Sequence, residues 1–142
     1  MTDLGIGIVG GGYMGKAHAV AMSAVGAVFN TKLRPKLRAV AANSIENATR
    51  YQMAYGFETA CENWEHLVND PRVEAVVIAS PQSTHRLIAE AAFALGKPVL
   101  CEKPLSTNLE DARAMVAAAD AAGVINMIGF NYIRTPASQF AR

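Results

Sequence analysis

Three glycines, Gly10, Gly12 and Gly15, stand directly after the apolar run Ile6–Val9 and directly before the small-residue stretch Ala17–Val25. A strand, a glycine turn and a helix in that order suit the diphosphate of a dinucleotide. Gly10 permits a tight turn, Gly12 lets backbone approach an anion closely, and Gly15 lets the helix pack hard against the strand. The anion would rest on unpaired amides at the positive end of the helix, so Tyr13 and Met14 join the cradle. A second chemistry-bearing group is Glu102-Lys103-Pro104, which follows the short apolar run Val99–Cys101. A lysine there is either solvated like most charged turn residues or holds positive charge against a reacting oxygen.

These residues need a scaffold that brings distant turns together, and the rest of the chain supplies one. Strands and helices alternate, which predicts an α/β doubly wound, mostly parallel sheet with helices on both faces. Ile6–Val9, Leu37–Ala42, Glu58–Cys61, Val73–Ala79, Val99–Cys101 and Val124–Phe130 read as strands. The helix after Asn43 and Ser44 should end near Gly56, and another spans Asn63–Asn69. Leu87, Ile88, Ala91 and Leu95 suggest one apolar helix face, and Ala112, Met115, Val116 and Ala119 another. Thr107 and Glu110 have the spacing of a capping box. Thr135 and Pro136 mark a final helix start. Ligands of such a sheet lie at the carboxyl ends of its strands. The site candidates are therefore Gly10–Gly15, then Ala42, Asn43 and Ser44, then Ser80, Pro81, Gln82 and His85, then Glu102 and Lys103, and last Asn131, Tyr132 and Arg134.

The composition excludes several classes. With 142 residues, 51% hydrophobic and 18% charged, the chain can bury a core as one globular domain. A net charge of +1 gives no nucleic-acid footprint, and Lys32, Arg34, Lys36 and Arg38 read as a solvated loop and strand edge. No apolar stretch is long enough for a membrane helix. No signal peptide is expected at the N-terminus. Cys61 and Cys101 lie in apolar runs without metal-ligand spacing, so the expectation is no metal, two buried thiols and a cytoplasmic location. His18 and His66 read as ordinary helix-surface residues, and Trp64 as packed on the sheet.

Gly7–Gly15, Ile78-Ala79-Ser80-Pro81 with His85, and above all Gly96–Pro104 resemble the glucose–fructose oxidoreductase / inositol dehydrogenase / MocA family. Gly129-Phe130-Asn131-Tyr132 and Pro136 resemble the segment leading out of that family's Rossmann domain. The resemblance covers essentially the whole chain. It implies an NAD(P)-binding domain over residues 1–131 and, over 132–142, the start of a connection to a second α/β domain. It implies an enzyme acting on a hydroxyl-bearing carbon of a sugar, inositol or similar polyol, homo-oligomeric through that second domain. Lys103 would lie beside substrate and nicotinamide, Glu102 would contact the nicotinamide ribose, and His85 would be structural or adjacent to the cofactor. The alternative is a stand-alone NAD(P)-binding or sensing module without catalysis.

Two departures qualify the resemblance. NAD binders usually carry an acid at the end of the second strand, where this chain reads Ala42-Asn43-Ser44. Without that carboxylate nothing there repels a 2′-phosphate, which tilts the expectation toward NADP. The family's remaining catalytic groups belong to the second domain, so these 142 residues alone should turn over little.

Overall fold

A computed structural model of the protein describes residues 2–141. Six parallel strands form one sheet in the order β3-β2-β1-β4-β5-β6. They are β1 (Thr2–Val9), β2 (Leu33–Ala41), β3 (Thr59–Cys61), β4 (Ala75–Ile78), β5 (Val99–Cys101) and β6 (Asn126–Ile128). Helices α1 (Tyr13–Val28), α2 (Ile45–Tyr55), α3 (Trp64–Asn69), α4 (His85–Ala94), α5 (Leu109–Ala122) and α6 (Pro136–Phe140) fill the connections. This strand order is that of two mononucleotide-binding halves, with the reversal between β1 and β4.

Side chains alternate across the sheet, as a period of two requires. Ile6, Ile8, Val40 and Val77 face one layer with Ala19 and Phe57. Ala39, Ala41, Val76 and Ile78 face the other, with Leu67, Ile88, Phe93 and Met115. Burying both faces explains the near-continuous apolar runs.

Several expected boundaries shift. The first two strands begin earlier than expected, so Arg34 and Lys36 belong to β2 rather than to the connection before it. Pro35 is tolerated there because β3 pairs only with Ala39–Ala41, leaving that half of β2 an edge. The fourth and sixth strands are shorter than their apolar runs. The cap of α5 is Asn108, not Thr107: Asp111 N donates to Asn108 Oδ1 at 2.8 Å, and Asn108 Nδ2 donates to Asp111 Oδ2 at 2.7 Å. The buried face of α4 is His85, Ile88, Ala89, Ala92 and Phe93, while Leu87 and Leu95 are exposed. The expected face was turned by about 100°, one residue of a 3.6-residue helix. On α5, Met115 and Ala119 are buried but Val116 is exposed. Cys61 and Cys101 are free and buried, as expected. Among the described residues no helix is long and apolar enough to cross a membrane, and no His, Cys, Asp and Glu cluster could hold a metal.

Candidate dinucleotide-binding site

Strand pairing places Cys61, Ala41, Val9, Ile78, Cys101 and Ile128 in one row across the sheet. Whatever follows those residues emerges along one edge. Gly10, Ala42, Glu102 and Gly129 each come next after a member of that row, and Ser80 comes two residues after Ile78. The candidates expected from sequence therefore share an edge although they span most of the chain.

The glycine turn has three different steric reasons for its glycines. Gly10 has φ +96°, and a Cβ there would lie 2.4 Å from Ala79 O. A Cβ on Gly15 would lie 1.9 Å from Gly10 O, so α1 meets the turn at backbone contact. Around Gly12 there is open space, with nothing within 4 Å of an added Cβ. Gly12 also caps α1 without a side-chain bond, and the first turn holds no acid. By contrast Ser44, Asn63, Asn108 and Thr135 cap their helices through side chains. The leading amides of α1, with Tyr13 exposed and Met14 half-buried, thus face outward with the helix dipole behind them.

Beside the turn a cleft of about 370 Å³ is lined among others by Gly10, Ala42, Asn43, Glu62, Trp64 and Ser80. Trp64 is half-buried against the core and also borders this cleft. Asn43 Oδ1 accepts from Asn47 Nδ2 at 2.8 Å, and Ser44 Oγ accepts from Asn47 N at 3.2 Å. Glu46 lies in the first turn of α2; its own amide and the Ser44 hydroxyl hold its carboxyl below the usual range. Ser80 Oγ and Thr84 Oγ1 are 2.7 Å apart, and Gln82 is exposed in the short turn Gln82–Thr84.

His85 is 1% exposed. Its Nδ1 lies 3.1 Å from Leu105 O and its Nε2 2.9 Å from Ser80 O. It supports the Ser80 turn from below, and with both nitrogens engaged it presents none to the cleft. That placement is compatible with a structural role adjacent to the cofactor.

Glu102 is 6% exposed, and its Oε1 lies 2.7 Å from His18 Nε2. Lys103 N donates to Glu102 Oε2 at 3.3 Å. His18 is therefore no ordinary surface histidine; its side chain is only 16% exposed. No local signal predicts that pairing, since the partners are 84 residues apart. His66 is exposed on α3, as expected. Lys103 is exposed and precedes a cis bond to Pro104. Among the described residues its ammonium has no carboxylate partner. Burial and the neighbouring Glu102 push the Cys101 thiol up to about 12, so it stays protonated beside the site. Asn131 and Arg134 lie in the exposed turn Asn131–Arg134 after β6.

Residues 4–130 match the family model GFO_IDH_MocA, described as an oxidoreductase family with an NAD-binding Rossmann fold. The chain belongs to this family. It is 37% identical over its whole length to levoglucosan dehydrogenase of Pseudarthrobacter phenanthrenivorans, of which it covers 37%. It is 36% identical to inositol 2-dehydrogenase of Gluconacetobacter diazotrophicus, with 90% of the chain and 37% of that protein aligned. A solved levoglucosan dehydrogenase complex with NADH and levoglucosan superposes with TM-score 0.92 at 36% identity, covering 96% of this chain and 37% of the other. An NAD binding oxidoreductase from Klebsiella pneumoniae gives 0.93 at 44% identity, covering 98% and 37%. The chain thus spans little more than a third of these relatives' length, corresponding to their NAD-binding domain. It is an NAD-binding Rossmann domain of the oxidoreductase type.

Proposed function

We propose that residues 1–131 bind a nicotinamide dinucleotide for an enzyme that oxidises a CH–OH carbon of a sugar, inositol or similar polyol. The observation that carries this reading is the open, acid-free start of α1 behind Gly12, at the same sheet edge as Lys103. The residues fit the cofactor: amides of Gly12–Gly15 would hold the diphosphate, Ala42, Asn43 and Ser44 the adenosine half, and Ser80, Pro81, Gln82, Glu102, Lys103 and Asn131 the nicotinamide half. The bound nicotinamide supplies a hydride acceptor. With the cofactor bound, the substrate carbon would pass a hydride to it and the hydroxyl would release its proton to water, leaving a carbonyl. Lys103, an unpaired ammonium at that edge, holds positive charge against the reacting oxygen and eases departure of its proton. Residues 132–142 begin the connection to a second domain that completes the substrate cleft and forms an oligomer interface. Two buried free thiols support a reducing, cytoplasmic setting.

Cofactor choice follows the charges at the end of β2. The lack of a carboxylate right after the strand admits an NADP 2′-phosphate beside the Asn43 amide. Glu46, in the first turn of α2 with its carboxyl held below the usual range, opposes it. NADH bound in the levoglucosan dehydrogenase relative adds weight to NAD. We therefore read the site as taking NADH at least as well as NADPH, against the tilt that the strand end alone suggested. Parallel fluorescence titrations with NADH and NADPH test both statements: no binding of either rejects the site, and clear preference for NADPH rejects the role of Glu46.

A further inference from the structure

We propose that His18 is a positioning residue that fixes the nicotinamide half of the site through the Glu102 carboxylate; this rests on the dinucleotide reading above. His18 stands one turn beyond Gly15 on the helix whose start receives the diphosphate. Glu102 stands at the carboxyl end of β5, two strands away from β1 and in the other mononucleotide half. The 2.7 Å contact between them therefore ties the two halves together.

Three elements hold the carboxylate. His18 reaches Oε1 from α1, Lys103 N reaches Oε2 from the same turn, and the Gly129 backbone closes the third side. A Cβ on Gly129 would lie 2.8 Å from Glu102 Oε1, so the carboxylate is seated against that backbone. A nearly buried carboxylate oxygen without a donor is costly, and without His18 only the longer bond from Lys103 N at Oε2 remains. Lys103 N is itself bonded to Glu102 Oε2, so the carboxylate's position bears on the turn that presents the lysine. The adenosine half has no such dependence: Asn43 and Ser44 are held by Asn47, and Gly10 N donates to Ala41 O at 2.8 Å.

Competition between ligands that fill one half or both tests this. ADP occupies the adenosine and diphosphate positions, and NADH adds the nicotinamide riboside. In the wild-type chain both bind, with NADH the tighter. His18→Ala is expected to weaken NADH about tenfold, the loss of one charge-assisted hydrogen bond, and to leave ADP within about twofold. His18→Gln, which restores an N–H donor of similar reach, is expected to recover most NADH affinity. If His18→Ala weakens ADP and NADH equally, or neither, or if His18→Gln behaves like alanine, the proposal is overturned. Circular dichroism and melting temperature identify a variant that has lost its fold, in which case His18→Gln against His18→Met carries the same comparison. A wild-type chain that binds neither ligand rejects the underlying reading instead.

Discussion

Gly12 separates the demands of the ligand from those of the fold. Gly10 and Gly15 are constrained by the protein's own backbone, whereas Gly12 faces open space with an extended backbone of negative φ. Gly12→Ala is therefore expected to leave thermal stability nearly unchanged and to weaken NADH by about tenfold or more, roughly 1.4 kcal/mol. Gly15→Ala is expected to lose both, since its Cβ meets a backbone oxygen that cannot swing aside. Equal melting curves with equal NADH affinity for Gly12→Ala would refute the cradle. In the intact enzyme Lys103→Met should lower kcat by about a hundredfold or more with a smaller effect on coenzyme affinity, as expected for a group acting on the reacting oxygen. Cys101 gives a pH signature. Its folded value of about 12 lies above the ordinary thiol value of 9.0, so its contribution is complete below pH 9. It is lost as pH rises toward 12, because only the unfolded thiol then releases its proton. Denaturant titrations should show an alkaline slope of up to about 1.4 kcal/mol per pH unit that Cys101→Ala reduces.

Among the elements, α4 shows where pattern reading loses phase. Leu87 and Ile88 are adjacent and equally apolar, and both fit an amphipathic helix. The core takes Ile88, which is fully buried, while Leu87 is 60% exposed. Ile88→Ala should destabilise by about 2–5 kcal/mol and Leu87→Ala by under about 0.5 kcal/mol, read by chemical denaturation. Reversed values would mean the face is wrongly assigned. The α2 and α6 starts were legible because strong local signals mark them, Ser44 before Ile45 and proline after Thr135, whereas α1 begins at Tyr13, ahead of the expected stretch Ala17–Val25. The α5 start slipped by one residue because Thr107 and Asn108 are both good caps and only the bond to Asp111 distinguishes them.

On the scale of the whole molecule, the last stretch is unusually apolar at its surface. Ile125, Phe130, Tyr132 and Phe140 are all more than half exposed. Exposed apolar side chains in this number favour association. Replacing Ile125, Phe130 and Phe140 by serine is expected to raise the concentration at which the 142-residue chain associates in sedimentation experiments, with NADH binding kept.

The sequence by itself determined the α/β alternation, the glycine turn and the residues that leave each strand, because each depends on a few neighbouring residues and on backbone geometry they alone control. Tertiary structure decided the rest: the row that aligns six strand ends, the buried face of α4, the withdrawal of His85 beneath the cleft, and the pairing of His18 with Glu102. Those features depend on which surfaces meet after the chain has crossed the sheet, and a contact spanning 84 residues leaves no mark on the local pattern of either partner.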